Sequence, residues 1–343
     1  MGGSDYPLIG VTGPTASGKS DLALCLARRL GGEIVSFDAM QVYRGLDVGT
    51  AKVAPEVRAE IPHHLIDAAE VAEFFSAGRF EKLAREALAG IRARGRVPVL
   101  VGGTGFYLRA LLHGIFEGPE RDEALRERFR RIQERRPGSL HRWLARVDPP
   151  AAARIAPPDF QRLHRALEVY LLTGRPLSHH FGTSETAVEG FRPRLYFLEV
   201  PRAELYERIN RRVSAMLEAG LVQEVERLLA SGCTPSAKGL EAIGYRQVIA
   251  FLCGEISYLE MAERIRIETR HYAKRQLTWF RREKGLISID GFGEDPAVQA
   301  RVLSDVLAFY GESIMAGHGA AEPQPDESTK HTKDTKKIDH GTH

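Results

Sequence analysis

The chain has 343 residues, of which 43% are hydrophobic and 27% are charged, and its formal net charge is +3. This composition is typical of a globular protein with a buried core, and the length corresponds to about two domains of roughly 150 residues. No apolar run reaches the ~20 residues of a membrane helix, and Cys25, Cys233 and Cys253 lie too far apart for a disulfide framework or a zinc site. Because the first residues lack the layout of a signal peptide, we expect a cytoplasmic protein with few side-chain metal ligands.

Short apolar runs typical of buried strands recur along the chain, at Leu8–Thr12, Glu33–Asp38, Val97–Val101, Leu195–Val200 and Leu286–Asp290. Helical patterns separate these runs. Apolar residues at helical spacing follow the first run and precede the third, at Leu22, Leu26 and Leu30 and at Phe80, Leu83, Ala87 and Ile91. Strands that alternate with helices predict an α/β fold whose parallel sheet is flanked by helices on both faces.

The alternation stops between residues 119 and 193, where Arg-rich helical patterns occur without a convincing strand. We interpret this stretch as a mainly helical insertion domain within a catalytic core formed by residues 1–118 and 194–316. Pro201 then begins a helix that is predicted to end near Gly220, and a long amphipathic helix is predicted within residues 257–283. Residues 317–343 are nearly free of large apolar side chains, so we expect a disordered tail.

Basic residues are concentrated in two stretches of the chain. Residues 121–165 contain 12 basic and 6 acidic residues, and residues 264–284 contain 8 basic and 2 acidic residues. Such clusters are expected of a protein that binds a phosphate backbone, but they are also found on ordinary solvated helices. Charge alone leaves both interpretations open.

The strongest motif directly follows the first predicted strand and directly precedes a helix. It fits G-x-x-x-x-G-K-[ST], the P-loop, and consists of Gly13, Pro14, Thr15, Ala16, Ser17, Gly18, Lys19 and Ser20. Its glycines allow backbone N–H groups to surround phosphate oxygens, Lys19 neutralises phosphate charge, and the Ser20 hydroxyl is a ligand for Mg²⁺. The motif predicts a sheet of the P-loop NTPase type and a bound phosphate, as in ATP-binding proteins.

The acid that such proteins usually carry on a later strand is absent. The third strand ends in Gly102-Gly103-Thr104, whereas an acid, Asp38, ends the second strand. Ligands bind outside the carboxyl ends of parallel strands, so we expect Asp38, Thr104 and the P-loop to meet there. From spacing alone, Asp38 is a metal ligand, a structural cap or a general base.

Two other features are interpreted as structural, and a third remains open. His63 and His64 diverge from each other and have no evident third ligand, so they are predicted to lie in a structural loop. Cys25 is predicted to be a small buried hydrophobic residue. For Trp279 and Phe280, helix packing and stacking on nucleic-acid bases both remain open.

Seven motifs in chain order resemble the tRNA dimethylallyltransferases, the tRNA isopentenyltransferase family that modifies the adenine just 3′ of the anticodon. They are GPTASGKS (13–20), DAMQVYRGLDVGTAK (38–52), PHHLID (62–67), VGGTGFY (101–107), QRLHRALEV (161–169), GYRQ (244–247) and AKRQLTWFRR (273–282). The eukaryotic members carry a C-terminal zinc finger for which this chain has no Cys/His pattern, so the resemblance is to the bacterial type.

The resemblance implies that the P-loop holds dimethylallyl diphosphate rather than ATP, with Mg²⁺ as the cofactor held through Ser20. It implies catalytic roles for Asp38 as the base, for Thr104 at the adenosine, and for Lys19 and Arg212 at the diphosphate. The expected product is an adenosine with a dimethylallyl group on its exocyclic N6.

The resemblance also implies tRNA as the macromolecular partner. The expected tRNA-binding residues are Asp38, Ala39, Met40, Gln41, Thr104, Arg126, Gln161, Arg162, Leu163, His164, Arg165, Ile243, Gly244, Tyr245, Arg246 and Gln247. Three alternatives remain at the level of sequence: an isopentenyltransferase that acts on free adenine nucleotides, a small-molecule P-loop kinase, and a nucleotide-gated RNA-binding module without catalysis.

Overall fold

Six parallel strands form one sheet in the computed structural model, which describes residues 6–116, 118–180, 188–311 and 314. The strands are β1 Tyr6–Thr12, β2 Gly32–Ser36, β3 His63–His64, β4 Val97–Gly102, β5 Phe191–Glu199 and β6 Leu286–Asp290. Their spatial order is β3-β2-β4-β1-β5-β6, so the strand that leads into the P-loop is central. The predicted parallel α/β sheet and its five predicted strands are confirmed.

The sixth strand, β3, was not predicted. His63 and His64, which were expected in a loop, instead pair with Ile34 and Val35 at the edge of the sheet. His63 Nδ1 lies 2.6 Å from Ile61 O, and His64 Nε2 lies 2.7 Å from a Glu33 carboxylate oxygen. Both histidines therefore have structural partners and stabilise the edge of the sheet.

Thirteen α-helices flank or extend the sheet within the described residues. They are α1 Lys19–Leu30, α2 Pro55–Glu60, α3 Ala77–Ala93, α4 Gly105–His113, α5 Glu123–Arg135, α6 Ser139–Val147, α7 Pro149–Ala152, α8 Phe160–Thr173, α9 Arg202–Glu218, α10 Leu221–Ala230, α11 Tyr245–Leu252, α12 Tyr258–Phe280 and α13 Pro296–Tyr310. None of them is both long and apolar enough to cross a membrane.

Each face of the sheet has its own core. One core contains Leu8 of β1, Leu100 of β4 and Phe197 of β5, and the other contains the alternate residues Ile9 and Val99. Alternate side chains of a strand point to opposite faces, so a strand buried on both sides is apolar throughout. This explains why the strands read as continuous apolar runs.

Helices α5 to α8, which lie between α4 and β5 in the chain, pack around a third, separate core. Phe129 of α5, Leu140 and Leu144 of α6, and Leu163 and Leu167 of α8 are buried together there. The predicted boundary of the insertion at residue 193 falls inside β5, because that strand begins at Phe191. The predicted tail, residues 317–343, lies outside the described residues.

Local sequence signals explain several helix ends. Pro201 is the N-terminal cap of α9, and Gly220, with φ of 94°, follows soon after its end. Ser257 and Glu260 form a reciprocal capping box at the start of α12. Because these signals involve neighbours in sequence, the predicted positions of both helices agree with the observed ones.

Candidate active site

The P-loop connects the central strand β1 to α1 and turns sharply. Ser17 N donates a hydrogen bond to Pro14 O at 3.3 Å. Ala16 and Gly18 have positive φ values of 64° and 79°, a conformation that glycine adopts easily and alanine only under strain. Ser17 Oγ is buried without a hydrogen-bond partner among the described residues. The turn has the backbone form of an anion-binding loop.

Two cations lie together beside this loop. Burial and the neighbouring Arg212 guanidinium lower the pKa of Lys19 to about 8, against the opposing effects of Asp38 and Asp21. Burial also lowers the pKa of Arg212, and the same two carboxylates oppose that shift. Lys19 of α1 and Arg212 of α9, which the resemblance assigns to the diphosphate, thus lie close enough to interact, and two neighbouring positive charges suit the site to an anion.

Asp38 follows the end of β2 and is half-buried. Its Oδ1 accepts hydrogen bonds from Met40 N at 2.9 Å and from Gln41 N at 3.4 Å. Its Oδ2 has no hydrogen bond to the protein within the described ranges. One oxygen thus caps the following turn, which is one of the three roles considered from the sequence, while the other is available for a ligand.

Thr104 follows the end of β4 and is the N-terminal cap of α4. Its Oγ1 accepts a hydrogen bond from Ala39 N at 3.0 Å. This bond joins the segments that follow β2 and β4, as the strand-end argument predicted.

Two site residues on α12 were not identified from the sequence. Gln276 Oε1 accepts a hydrogen bond from Thr15 N at 2.8 Å, and Gln276 Nε2 donates one to Gly103 O at 2.9 Å. Tyr272, one turn earlier, hydrogen-bonds to Thr104, and burial together with the nearby Asp38 charge raises its pKa. One signal in the sequence could have identified Gln276: it is a glutamine on the apolar side of an amphipathic helix. A buried polar side chain needs a hydrogen-bond partner elsewhere in the fold.

Among the expected tRNA-binding residues on α8, some are exposed to solvent and others are buried or bonded within the protein. Gln161 and Arg162 are exposed near the start of α8, whereas Leu163 is fully buried. Arg165 donates a hydrogen bond to a carboxylate oxygen of the buried Glu168 at 2.9 Å.

Arg126 of α5 is also held by Glu168, through two hydrogen bonds of 2.9 Å each. Burial raises the pKa of Glu168, but hydrogen bonds from Arg126 and Arg165 outweigh it and lower that pKa to about 2. Arg126 therefore joins α5 to α8, Arg165 pairs with Glu168 within α8, and Arg162 is the more accessible cation.

The segment 243–247 mostly faces the protein interior. Tyr245 is fully buried, and its hydroxyl donates a hydrogen bond to Glu224 Oε1 at 2.6 Å. Gln247 is buried too, and its Oε1 accepts a hydrogen bond from Gly244 N at 2.8 Å. Arg246 is exposed and pairs with Glu268, while Ile243 is half-buried. Arg246 is thus the main accessible side chain of this segment.

A groove of about 900 Å³ lies between helices α5 and α8 on one side and Phe74 and Lys238 on the other. Exposed Phe160 of α8 and exposed Phe74 of the core are among its lining residues, together with Gln161, His164 and Lys238. His164 is 8% exposed, and its Nε2 has no hydrogen-bond partner among the described residues. Burial, and then the charges of two nearby arginines, lower its pKa. The groove combines aromatic, polar and cationic groups.

No group of three or more His, Cys, Asp or Glu side chains is placed to hold a metal ion within the part of the chain that is described. Ser20, at the start of α1, is the P-loop hydroxyl available to a metal. Mg²⁺ commonly uses one or two protein ligands together with substrate phosphates and water. The residues therefore fit a Mg²⁺ ion that arrives with a phosphate-bearing ligand.

Comparison with known proteins gives consistent matches. The family model described as IPP transferase matches residues 41–283, a range that includes Thr104 and Arg212 and begins after Asp38. The tRNA dimethylallyltransferase of Solibacter usitatus is 47% identical over 306 residues, covering 89% of this chain and 100% of that protein. That of Geobacter metallireducens is 47% identical over 307 residues, covering 88% and 97%.

Two crystal structures are similar to this fold. The tRNA isopentenylpyrophosphate transferase of Bacillus halodurans has a TM-score of 0.65 and 37% identity, covering 91% of this chain and 98% of that one. A eukaryotic dimethylallyltransferase described as acting on tRNA has a TM-score of 0.74 and 27% identity, covering 91% and 80%.

Proposed function

Because the chain belongs to the IPP transferase family, we propose that it transfers a dimethylallyl group from dimethylallyl diphosphate to tRNA. The acceptor is the exocyclic N6 of the adenosine immediately 3′ of the anticodon, and diphosphate is released. The resemblance seen in the sequence motifs is confirmed at the level of the family. The observation that carries the reaction is the meeting of the P-loop, Asp38 and Thr104 beside the cations Lys19 and Arg212.

The reaction exchanges one bond for another at an allylic carbon. The bond between C1 of the dimethylallyl group and a diphosphate oxygen breaks, and a bond between C1 and N6 forms. The electron pair of the broken bond leaves with the diphosphate. An allylic carbon supports cationic character, so the principal charge to be stabilised develops on the leaving group.

The chain supplies that stabilisation through groups fixed before the substrate arrives. In our proposal, the N–H groups of the P-loop, the Lys19 ammonium and the Arg212 guanidinium contact the diphosphate. Lys19 and Arg212 repel each other in the free protein, and a multiply charged anion relieves that repulsion. Preorganised charges of this kind favour the transition state because they need no reorientation as charge develops.

Asp38 is the proposed general base. The N6 amine of adenine is a weak nucleophile because its lone pair is delocalised into the ring, so removal of its proton assists attack. The backbone N–H groups of Met40 and Gln41 hold Oδ1, which leaves Oδ2 to accept the proton. Thr104, whose Oγ1 accepts a hydrogen bond from Ala39 N, is the proposed contact to the same adenosine.

We propose Mg²⁺ as the cofactor, bound by the Ser20 hydroxyl and by oxygens of the substrate diphosphate. When bound, it neutralises charge on the leaving diphosphate. The half-buried position of Ser20 at the start of α1 supports this assignment.

The adenosine must leave the stack of the anticodon loop before its amine can reach Asp38. We propose that the groove lined by Phe74, Phe160, Gln161 and His164 receives part of that loop, since unstacked bases bind beside aromatic and polar side chains. The exposed Arg162 and Arg246 are the proposed phosphate contacts. A tRNA substrate supports our further proposal that the protein acts in the cytoplasm.

The experiment that tests this function offers labelled dimethylallyl diphosphate together with unmodified tRNA, with AMP, or with no acceptor. We expect label to enter tRNA only, at a single adenosine. Label that enters AMP but not tRNA would show a free-nucleotide isopentenyltransferase, and transfer of the γ-phosphate of ATP would show a kinase. Binding of tRNA without transfer under any condition would favour a non-catalytic RNA-binding module.

A further inference from the structure

The turn that follows β6, residues 291–295, packs directly against the P-loop. Gly293 N donates a hydrogen bond to Ser17 O at 2.9 Å. A side chain on Gly293 would clash with Gly18 O, and a side chain on Gly18 would clash with the Glu294 carboxylate. The two backbones are therefore in contact at the point where α1 begins.

This turn is itself firmly held. Asp295 Oδ1 accepts a hydrogen bond from Ala297 N at 2.9 Å at the start of α13. Gln299 Nε2 donates one to Gly293 O at 3.0 Å. The turn is therefore fixed to α13, and it can support the P-loop.

Glu294 links the turn to α9, the helix that carries Arg212. Its carboxylate forms an ion pair with Arg208, and the Arg208 guanidinium lies 4.1 Å from the centre of the Phe292 ring. The Arg208 and Glu294 side chains are 30% and 39% exposed, respectively. Arg208 and Arg212 are four residues apart and thus lie on the same side of the helix.

The ion pair has a physical task in the free protein. Lys19 and Arg212 are both positive and interact with each other. The Asp38 and Asp21 carboxylates offset part of their repulsion, and what remains favours separation of α9 from the P-loop. The attraction between Arg208 and Glu294 acts one turn along the same helix and opposes this separation. It keeps Arg212 near Lys19 before the substrate binds, and preorganisation lowers the cost of binding.

We propose that Arg208 and Glu294 are positioning residues of the diphosphate site, which hold α9 and the P-loop at the separation that a diphosphate requires. This inference rests on the proposed function, because it assumes that the P-loop binds the diphosphate. The pair acts through Arg212 and Lys19 and does not touch the reacting atoms. Its loss should therefore weaken diphosphate binding while leaving the proton transfer to Asp38 intact.

The test measures the affinity for inorganic pyrophosphate by calorimetry on the full chain, together with steady-state kinetics. We expect Arg208→Gln and Glu294→Gln each to weaken pyrophosphate binding about tenfold and to raise the KM for dimethylallyl diphosphate similarly. The kcat at saturating substrate and the KM for tRNA should stay within about twofold of wild type. Arg208→Gln and Glu294→Gln break the same ion pair. The double variant should therefore bind pyrophosphate no more weakly than whichever single variant binds it less tightly.

The control is Arg211→Gln, which removes an exposed arginine of the same helix and should bind pyrophosphate as the wild type does. If either glutamine variant fails to fold, Glu294→Asp replaces it in the test. The shorter side chain keeps the negative charge but moves it away from the Arg208 guanidinium. We expect a several-fold loss of binding in that variant.

Two outcomes would overturn the positioning role: wild-type pyrophosphate affinity in the folded variants, or losses that add up in the double variant. A wild-type protein that does not bind pyrophosphate at all would instead contradict the proposed function. The two failures are therefore distinguishable.

Discussion

At the scale of single residues, Asp38 combines two tasks that one substitution can separate. Asp38→Asn keeps an oxygen that can accept the Met40 and Gln41 N–H groups, but it removes the base. We expect the single-turnover rate to fall by about 10²–10⁴, with tRNA affinity within about threefold of wild type. The rate is measured with enzyme in excess, and tRNA affinity by filter binding.

Asp38→Ala is the matched comparison, because it removes the cap as well as the base. It should lose turnover at least as fully as Asp38→Asn and should also loosen the turn at residues 39–41. A near-normal rate in the asparagine variant would show that the carboxylate is a structural cap only, and the base would have to be sought elsewhere.

Lys19 gives the site a pH dependence whose sign follows from its lowered pKa. With a pKa of about 8 in the free protein, Lys19 is charged below pH 8 and neutral above it. We expect kcat/KM for dimethylallyl diphosphate to fall above about pH 8, because this parameter reports the enzyme before the diphosphate binds. The fall in kcat should occur at higher pH, since a bound diphosphate favours the charged amine.

Lys19→Arg tests the assignment, because arginine keeps its charge throughout this range. The variant should lose the fall near pH 8 even if its activity is lower. The same inflection in both proteins would assign it to another group. Both profiles are recorded at saturating tRNA.

Sequence reasoning found the site residues that follow predicted strands. Lys19, Asp38 and Thr104 each follow a strand, so the rule that ligands bind at the carboxyl ends of parallel strands was sufficient to group them. Gln276 and Glu294 were missed because their partners, Thr15 and the Gly18 backbone, are far away along the chain. Such contacts depend on how α12 and the 291–295 turn pack, which no local pattern specifies.

At the scale of elements, α3 shows how far periodicity reaches. Phe80 and Ile91 are buried as predicted, but Leu83 and Ala87 are only half-buried, whereas Leu88 is fully buried. A helix advances 3.6 residues per turn, so strict four-residue spacing drifts by about 40° at each step. The sequence pattern therefore predicted the helix correctly but assigned part of its buried face wrongly.

The edge strand β3 could not be predicted from periodicity at all. Its two residues, His63 and His64, are too few to display an alternating pattern. They form a strand because β2 offers a free edge, and that edge exists only once the sheet has assembled.

Helix α8 carries two arginines with different environments, which gives a prediction about RNA binding. Arg162 is 65% exposed, and its ion pair with Asp159, at 3.5 Å, lies at the surface, so a phosphate group can compete for its charge. We expect Arg162→Ala to weaken tRNA binding and to reduce the slope of log Kd against log salt concentration by about 0.7–0.9, the value for one phosphate contact. Affinities are measured at several salt concentrations.

Arg165→Ala is the contrasting variant, because that guanidinium binds the buried Glu168. It should lower the midpoint of thermal unfolding, whereas Arg162→Ala should leave the midpoint unchanged. Salt slopes that are equal in Arg162→Ala and the wild type would remove this phosphate contact from the proposed function.

At the scale of the whole molecule, the two basic stretches overstate the charge that can reach RNA. Arg126 and Arg165 share one buried carboxylate, Glu168, and Arg130 and Arg131 both pair with Glu127. Composition counts every arginine equally, whereas ion pairs engage several of them, at the surface for Arg130 and Arg131 and with a buried carboxylate for Arg126 and Arg165. The charge available to RNA therefore depends on these pairs, and counting alone could not have predicted it.

The strand order of the sheet was likewise not available from sequence. Alternation predicted parallel strands, but the neighbours of β1 turned out to be β4 and β5, which follow it at long range. Placing β1 at the centre brings the P-loop beside the ends of β2 and β4, so the order of the strands assembles the site.

The last described helix, α13, packs against the first strand, β1. The hydroxyl oxygen of Tyr310 accepts a hydrogen bond from Leu8 N at 3.2 Å and lies 2.8 Å from Leu8 O and 2.6 Å from Arg192 O. Its proton is therefore donated to one of these two carbonyl groups. Tyr310 is buried, so Tyr310→Phe leaves backbone groups of β1 and β5 without this partner.

We expect Tyr310→Phe to lower the free energy of unfolding by about 1–3 kcal/mol, the usual cost of leaving a buried polar group unsatisfied. Urea titration measures this change, and Tyr258→Phe, at a side chain that is 47% exposed, is the control. Because β1 leads into the P-loop but Tyr310 does not contact the site, specific activity should be unchanged at temperatures where both proteins are folded. A Tyr310→Phe protein as stable as the control would mean that the other contacts of α13 suffice to hold it to the sheet, namely the apolar packing of Val298, Val302 and Val306 and the bonds of Asp305 to Arg194 and Tyr196.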